Sequence, residues 1–477
     1  MTTARDVSAG ELPSTGTSEP GPTLAAGRIS AWQALFFGLA ALSLPGLIGS
    51  QGAYLVIGGN SAWLATAVAA AFGVVLAFIV VKFARKHVVS GSLMSYLRLE
   101  MGTRAGILGG SALFVGYVGA VTTYLSIALY FGLSSLSKFD IAYPSAGVMV
   151  SLAVMIVAGC CFLQRRGVSV SVNIAIILGL LCLPLVAIIV AAAVIQHGVQ
   201  LGAQFALEGF HVAAFVPAVV IAFGAYCGFE GLTALAKETR DPRTTMPTVV
   251  LTLVLTVTVA TLASALLTVP IMVNNADQLA AGVSPLGVLA NVGGVGYLGD
   301  IANVLMAVSS VGSLLAYLND SSRVVATAAQ DGYLPAGLGR IQPQFHTPSV
   351  AAIAIGAVSA IMFAAFVLLS SDGLLGATIN FLVFVSHSWL VVYTAMAVAG
   401  AVTTWRSTGL SFNVVVAAFT AFALVAMLGY SVATGTGTTA VFSWVAIGLI
   451  VALFVVGVVR VRRELATTDM PSPSPAA

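Results

Sequence analysis

The sequence predicts an all-α polytopic membrane protein of twelve transmembrane helices, and three observations predict it. Hydrophobic residues fill 59% of the 477 positions while charged residues fill 7%, and the mean hydropathy is +1.04. A soluble domain carries roughly 25% charge, so this chain cannot clothe its surface in polar groups and much of that surface faces lipid. Apolar stretches of about twenty residues, the length that crosses a bilayer, recur along the whole chain. The basic residues segregate into alternate loops, as the positive-inside rule requires.

The spans begin near Trp32, Ala62, Ala105, Ala146, Val168, Val212, Pro247, Gly299, Ser349, Gly373, Phe412 and Ala440. With the N-terminus inside, every Lys and Arg except Lys138 falls in a cytoplasmic loop or tail. Losing or gaining one span would scramble this segregation, so it supports both the number of spans and cytoplasmic N- and C-termini. The net charge of +3 is spread over those loops, and no nucleic-acid partner is expected. Residues 1–28 and 464–477 are polar and rich in Ser, Thr, Gly or Pro, and read as short disordered cytoplasmic tails. The first of them lacks the apolar middle of a secretory signal. They flank a twelve-helix domain over 29–463. Cys160, Cys161, Cys182 and Cys227 all lie in apolar runs and read as packing residues.

Two spans are interrupted. The first carries Pro45, Gly46, Gly49, Ser50, Gln51 and Gly52 near its middle, and in the sixth Gly224 and Gly228 bracket Ala225–Cys227. Each opens a block of five spans, 30–198 and 210–402, with two peripheral helices over 410–461. An odd number of spans inverts the second block relative to the first. Paired broken helices in inverted halves point to a substrate site at the membrane midplane, because unwound backbone is tolerated in a membrane only where it lines a cavity or is buried in protein. The first span then offers free N–H groups around Gly52, Ala53 and Tyr54, with Gly49, Ser50 and Gln51 beside them at the break. The sixth offers carbonyls around Phe223, Gly224 and Ala225, with Tyr226 and Gly228 beside them. One end suits a carboxylate and the other an ammonium group, so an amino acid or related amine is the expected substrate.

The stretch FGAYCGFEGLTALAKETRDPRTTMP over 223–247 resembles the sixth-helix signature of the amino acid–polyamine–organocation permeases. A second stretch, SRVVATAAQDGYLPAGLGRIQPQFHTP over 322–348, is similar to the run at the inner end of that family's eighth helix, and VSGSLMSYL over 89–97 to its inner loop before the third. The resemblance implies a leucine-transporter-like five-plus-five inverted repeat and alternating-access transport of amino acids or related amines. In place of the family's usual G-S-G-I-F in the first helix stands SQGAY, which adds the Gln51 amide beside the pocket. Some members carry a proton-linked Lys in the fifth helix; 168–195 holds none, Leu181 or Cys182 standing near its place.

Ionisable groups deep in a membrane are functional candidates by default. Glu230 follows the sixth-helix break, as a helix cap or as a carboxylate that exchanges a proton. His387 lies midway along the tenth span, as a proton relay or a hydrogen-bonded packing residue. Asp320 and Arg323 are three apart and read as an i,i+3 pair at an inner gate. Ser309 and Ser310 are candidate ligands for a sodium ion; no other metal and no cofactor are expected. Tyr226 is the preferred aromatic gate. The function read from the sequence is therefore a secondary permease of the plasma membrane, coupled to a proton or sodium ion and working by symport or exchange. A nutrient sensor of the same fold and a polyamine or organic-amine exchanger are the alternatives. No clustered catalytic residues, HExxH, GxSxG or Walker sequence supports an enzyme or a primary pump. Oligomeric state has no signature in the chain.

Overall fold

The computed structural model describes residues 24–134, 144–370 and 372–468, with side chains as far as 463. Lys138 and most of both predicted tails lie outside the described residues. Apart from one parallel bridge, Ile29 to Thr239, the described secondary structure is helical.

The first predicted span is three short helices in series, α1 (Ala31–Ala41), α2 (Leu44–Gly49) and α3 (Gln51–Tyr54). Ser30 and Gln33 form a capping box at the start of α1. The main break lies at Leu42–Ser43, just ahead of Pro45 and Gly46, the first of the residues expected to interrupt this span. Pro45 supplies the reason. It has no N–H to return to the turn before it and disfavours helical geometry at the residue ahead of it, and Ser43 takes a left-handed φ of 52°. Gly49 and Gly52 serve packing instead, against Val186 and Leu286 and against Thr268.

Among the described residues eleven helical stretches are long and apolar enough to cross a membrane. They comprise α4 (Ala62–Lys86) with the 3₁₀ turn before it, α6 (Thr103–Leu133), α7 (Ala146–Gln164), and α8 (Val168–Leu180) continued by α9 (Leu183–His197). The next is α11 (Val212–Phe223) with the 3₁₀ segments 224–226 and 229–238, followed by α12 (Pro242–Asn274), α15 (Gly296–Gln330) and α16 (Ser349–Leu369). The series closes with α17 (Gly373–Thr408), α18 (Phe412–Thr434) and α19 (Gly437–Thr468). The last of these runs five residues into the segment expected as a tail. Short helices α5 (Ser92–Met101), α10 (Leu201–Phe205), α13 (Ala276–Ala280) and α14 (Pro285–Val292) fill the connections.

The core is built around α6, α15 and α17, the most enclosed of the long helices. Glycine lets backbones meet where α1, α8 and α15 cross. A β-carbon on Gly312 would stand 2.3 Å from the Gly179 nitrogen, and one on Gly179 would stand 2.6 Å from that of Ala40. Such small-residue seams are how membrane helices gain dispersion contact without a hydrophobic driving force between them. One end of the bundle gathers the chain start and several basic loops. There Ile29 N–H donates to the Glu238 carbonyl at 3.0 Å, Arg240 Nε to the Gly27 carbonyl at 3.1 Å, and Arg98 pairs with Asp331.

Candidate substrate site at the two helix breaks

The second break falls where glycine predicts it. After α11 the chain makes one 3₁₀ turn, Cys227 is extended, and Gly228 takes φ +97°, open to glycine and strained for other residues. The orphaned backbone groups of this break find tyrosines. Tyr317 on α15 donates to the Cys227 carbonyl at 2.7 Å, Tyr393 on α17 donates to the Tyr226 carbonyl at 2.8 Å, and Gly228 N–H donates to the Tyr393 oxygen at 3.1 Å.

Between the two breaks lies a cavity of about 90 Å³. Of the residues read from the sequence as substrate-binding, Ser50, Gln51, Tyr54, Gly224 and Ala225 line it. The rest of the wall is Leu42, Ser43, Gly46 and Leu47 from the first break, Ile221 from α11, and side chains from three long helices. Those are Tyr124, Ile127 and Phe131 on α6, Met306 and Tyr317 on α15, and Leu382 on α17. No charged side chain is among them. The Ser50 hydroxyl and both polar atoms of the Gln51 amide are buried and without a hydrogen-bond partner among the described residues. Buried polar side chains are paired in the great majority of cases, so three such atoms on one cavity wall make it the candidate site for a polar ligand. An apolar recess of about 230 Å³ adjoins it, sharing Tyr54, Ile221 and Leu382 and bordered by Ala53.

Other predicted residues stand elsewhere. Gly49, Gly52, Phe223, Tyr226 and Gly228 do not line the cavity. Tyr226 reaches α12, its hydroxyl 3.0 Å from Thr258 Oγ1, with its ring against Gly73. Phe223 packs edge-on to Tyr393. His387 bonds the Val383 carbonyl at 2.7 Å and Ser431 Oγ at 3.1 Å, joining α17 to α18. Ser309 donates to the Gly179 carbonyl at 2.6 Å and Ser310 to the Met306 carbonyl at 2.8 Å. Both hydroxyl protons thus point at carbonyl oxygens. Among the described residues no group of three His, Cys, Asp or Glu could hold a metal.

Glu230 is fully buried just below the second break. Trp389 Nε1 donates to its Oε1 at 2.9 Å, and its Oε2 makes a short hydrogen bond with the Tyr393 hydroxyl. Asp320 lies beside Gly231 and keeps one oxygen unpartnered among the described residues, as does the Tyr117 hydroxyl. The expected Asp320–Arg323 pair is corrected by the structure. The Arg323 guanidinium turns to Glu238, at the C-terminal end of the broken stretch, through Nε and through Nη2 at 3.1 Å, and donates from Nη1 to the Asn319 carbonyl at 2.6 Å. A planar fork meeting both carboxylate oxygens outcompetes a neighbour on the same helix, whose carboxylate cannot present itself side-on.

Sequence reasoning missed Trp389 and Tyr393, which serve Glu230, and the cavity wall on α6, α15 and α17. Trp389 and Tyr393 are four apart and share a helix face, a signal open to a reader looking for partners of a buried carboxylate. Tyr124, Met306 and Leu382 carry no such signal.

Comparison with known proteins agrees with this architecture. The amino acid permease family matches residues 29–410. An uncharacterized transporter of Mycobacterium tuberculosis is 27% identical over 377 residues, covering 79% of this chain and 80% of its own. A branched-chain amino acid permease of Bacillus subtilis is 25% identical over 70% of this chain and 74% of its own. A methylthioribose transporter of the same organism is 24% identical over 67% and 71%. The chain belongs to the amino acid permease family and is a multi-pass membrane transporter of small molecules.

Proposed function

We propose that this chain is a secondary active transporter that carries small amino acids of no net charge across the plasma membrane by alternating access. In this reading both termini are cytoplasmic and the broken first stretch, 31–54, is a twelfth span. The two five-helix blocks are inverted repeats that rock about the site, and transport runs by proton-coupled symport or exchange.

The observation that carries the substrate reading is the cavity wall. An uncharged amide and a hydroxyl, both without a partner among the described residues, face a largely apolar surface that also carries Ser43 and the tyrosines Tyr54, Tyr124 and Tyr317. The Gln51 amide has donors for a carboxylate and an acceptor for an ammonium group. The apolar remainder suits an aliphatic side chain, in keeping with a relative named as a branched-chain amino acid permease. No carboxylate lines the wall, so a polyamine or dibasic amino acid would bury a cation unpaired, at a cost of several kcal/mol.

Ligand-induced thermal stabilisation of the purified chain tests this, since a ligand that binds the folded state raises its apparent stability. L-Valine, L-leucine, L-lysine, L-glutamate, putrescine and methylthioribose make the panel. Stabilisation by the aliphatic amino acids alone is expected. Stabilisation by putrescine or L-lysine in preference to them would overturn the substrate class, and by methylthioribose alone would show that the amide reads hydroxyls.

A further inference from the structure

A groove of about 480 Å³ runs between α7 and α16, away from the two helix breaks. The helices touch along its floor, where a β-carbon on Gly356 would stand 2.7 Å from Val157 Cγ1 and 3.0 Å from Cys161 Sγ. Above that floor Ala158 and Ala357 leave space, while Val154, Phe162, Ile353 and Ile361 flank it, each about half exposed or more. Arg165, at the C-terminal end of α7, is the one charged residue on the wall. Arg166 beside it lies over the Phe162 ring, its guanidinium carbon 4.5 Å from the centroid, which keeps a second cation at the same end. Both arginines are exposed, and among the described residues neither has a carboxylate partner.

From Val154 to Arg165 the α7 wall climbs about 16 Å at 1.5 Å per residue. One leaflet of a bilayer's hydrocarbon core is about 15 Å deep, half of roughly 30 Å. The groove therefore matches a single leaflet, with apolar walls at the depth of acyl chains and two cations at the depth of headgroup phosphates. A chain seated between raised side chains gains dispersion contact on three sides, where a smooth helix face offers one. We propose that this groove binds one anionic phospholipid of the phosphatidylglycerol type. Its acyl chain lies along Ala158 and Ala357, and its phosphate accepts hydrogen bonds from Arg165 and Arg166. Arginine suits that role because its planar fork donates to two phosphate oxygens at once. Basic pockets between membrane helices are a recurrent means of holding anionic headgroups. A second apolar groove, about 560 Å³ between α16 and α19, has no charged residue on its walls and gives no such headgroup preference. The two walls of the lipid groove belong to the fourth and ninth spans, so the lipid touches both five-span blocks. With the cytoplasmic orientation proposed above, it belongs to the inner leaflet.

Native mass spectrometry of the full chain in detergent tests this, with dioleoyl-phosphatidylglycerol and dioleoyl-phosphatidylcholine as probes that share their tails and differ in headgroup. An arginine near the membrane surface favours an anionic lipid about five-fold, so the pair predicts roughly 30-fold tighter binding of the first phosphatidylglycerol. Arg165→Gln combined with Arg166→Gln should remove that preference. Ala357→Phe keeps both cations but fills the groove, and should remove it as well. Ala158→Phe on the facing wall takes its place should that chain fail to fold. Arg406→Gln, which removes a cation at the end of α17, should keep the preference. Free glycerol 3-phosphate, a headgroup without tails, should not displace the lipid. Equal binding of the two lipids by the wild type would overturn the proposal, as would a preference that survives the filled groove. An Arg406→Gln loss as large as that of the paired variant would show diffuse charge attraction in place of a site. Displacement by glycerol 3-phosphate would show a phosphate site in place of a lipid groove.

Discussion

Replacing Gln51 with methionine keeps the length of the side chain and removes its amide. In the empty cavity both amide atoms are buried and unpaired, and each unsatisfied buried polar group costs about 1–3 kcal/mol. Gln51→Met should therefore raise the stability of the ligand-free protein, by up to that amount where cavity water does not already satisfy the amide. In the complex the sign reverses. Two lost hydrogen bonds at about 0.5–1.5 kcal/mol each weaken binding by about 1–3 kcal/mol, roughly 5- to 150-fold in Kd. Thermal unfolding without ligand and isothermal titration with L-leucine measure the two effects on one preparation. Opposite signs are the mark of a residue held for its ligand. If Gln51→Met lowers ligand-free stability and leaves leucine affinity unchanged, the amide is a structural group and the site lies elsewhere.

Three further outcomes follow from the same geometry. Glu238→Gln should destabilise the fold by about 3–5 kcal/mol, the cost of leaving the fully buried Arg323 without its carboxylate. Glu238→Gln combined with Arg323→Met should recover much of that loss in a double-mutant cycle. Glu100, in α5 outside the spans, is partly buried, which works against its charge. Hydrogen bonds from Lys86 at 2.7 Å and His87 at 2.6 Å outweigh that and hold its carboxyl below the usual range. A depressed carboxyl contributes stability above its unfolded value of about 4.3 and loses it as pH falls through the folded value. Glu100→Gln should thus be less stable than the wild type at neutral pH, and the two should converge as pH falls through that depressed folded value.

The spans were legible because lipid enforces them: a helix that crosses a membrane must be long, apolar and bounded by polar loops, and basic residues record which side each loop occupies. The break at Gly224–Gly228 was legible too, since only glycine takes the backbone angle of Gly228 at little cost. The first break falls at the leading edge of the run from Pro45 to Gly52 that marks it in the sequence, with Pro45 giving the signal and Gly49 and Gly52 serving close packing. Arg323 shows the limit most plainly. Local spacing offered Asp320 three residues away, while the actual partner is 85 residues distant, and only the folded chain brings them together. The cavity wall was half visible. Residues on the broken segments were found through the breaks, but Tyr124, Ile127, Met306 and Leu382 sit on unbroken apolar helices, where a lining residue and a packing residue look alike.

Counterflow of labelled L-leucine in proteoliposomes tests the account's central claim most directly, that the cavity between the breaks carries solute across the membrane. Vesicles loaded with unlabelled leucine should accumulate the label transiently and saturably, and the Gln51→Met protein should need a roughly 5- to 150-fold higher leucine concentration for the same rate. Leucine that stabilises the protein without any counterflow would contradict the account and leave a receptor in its place.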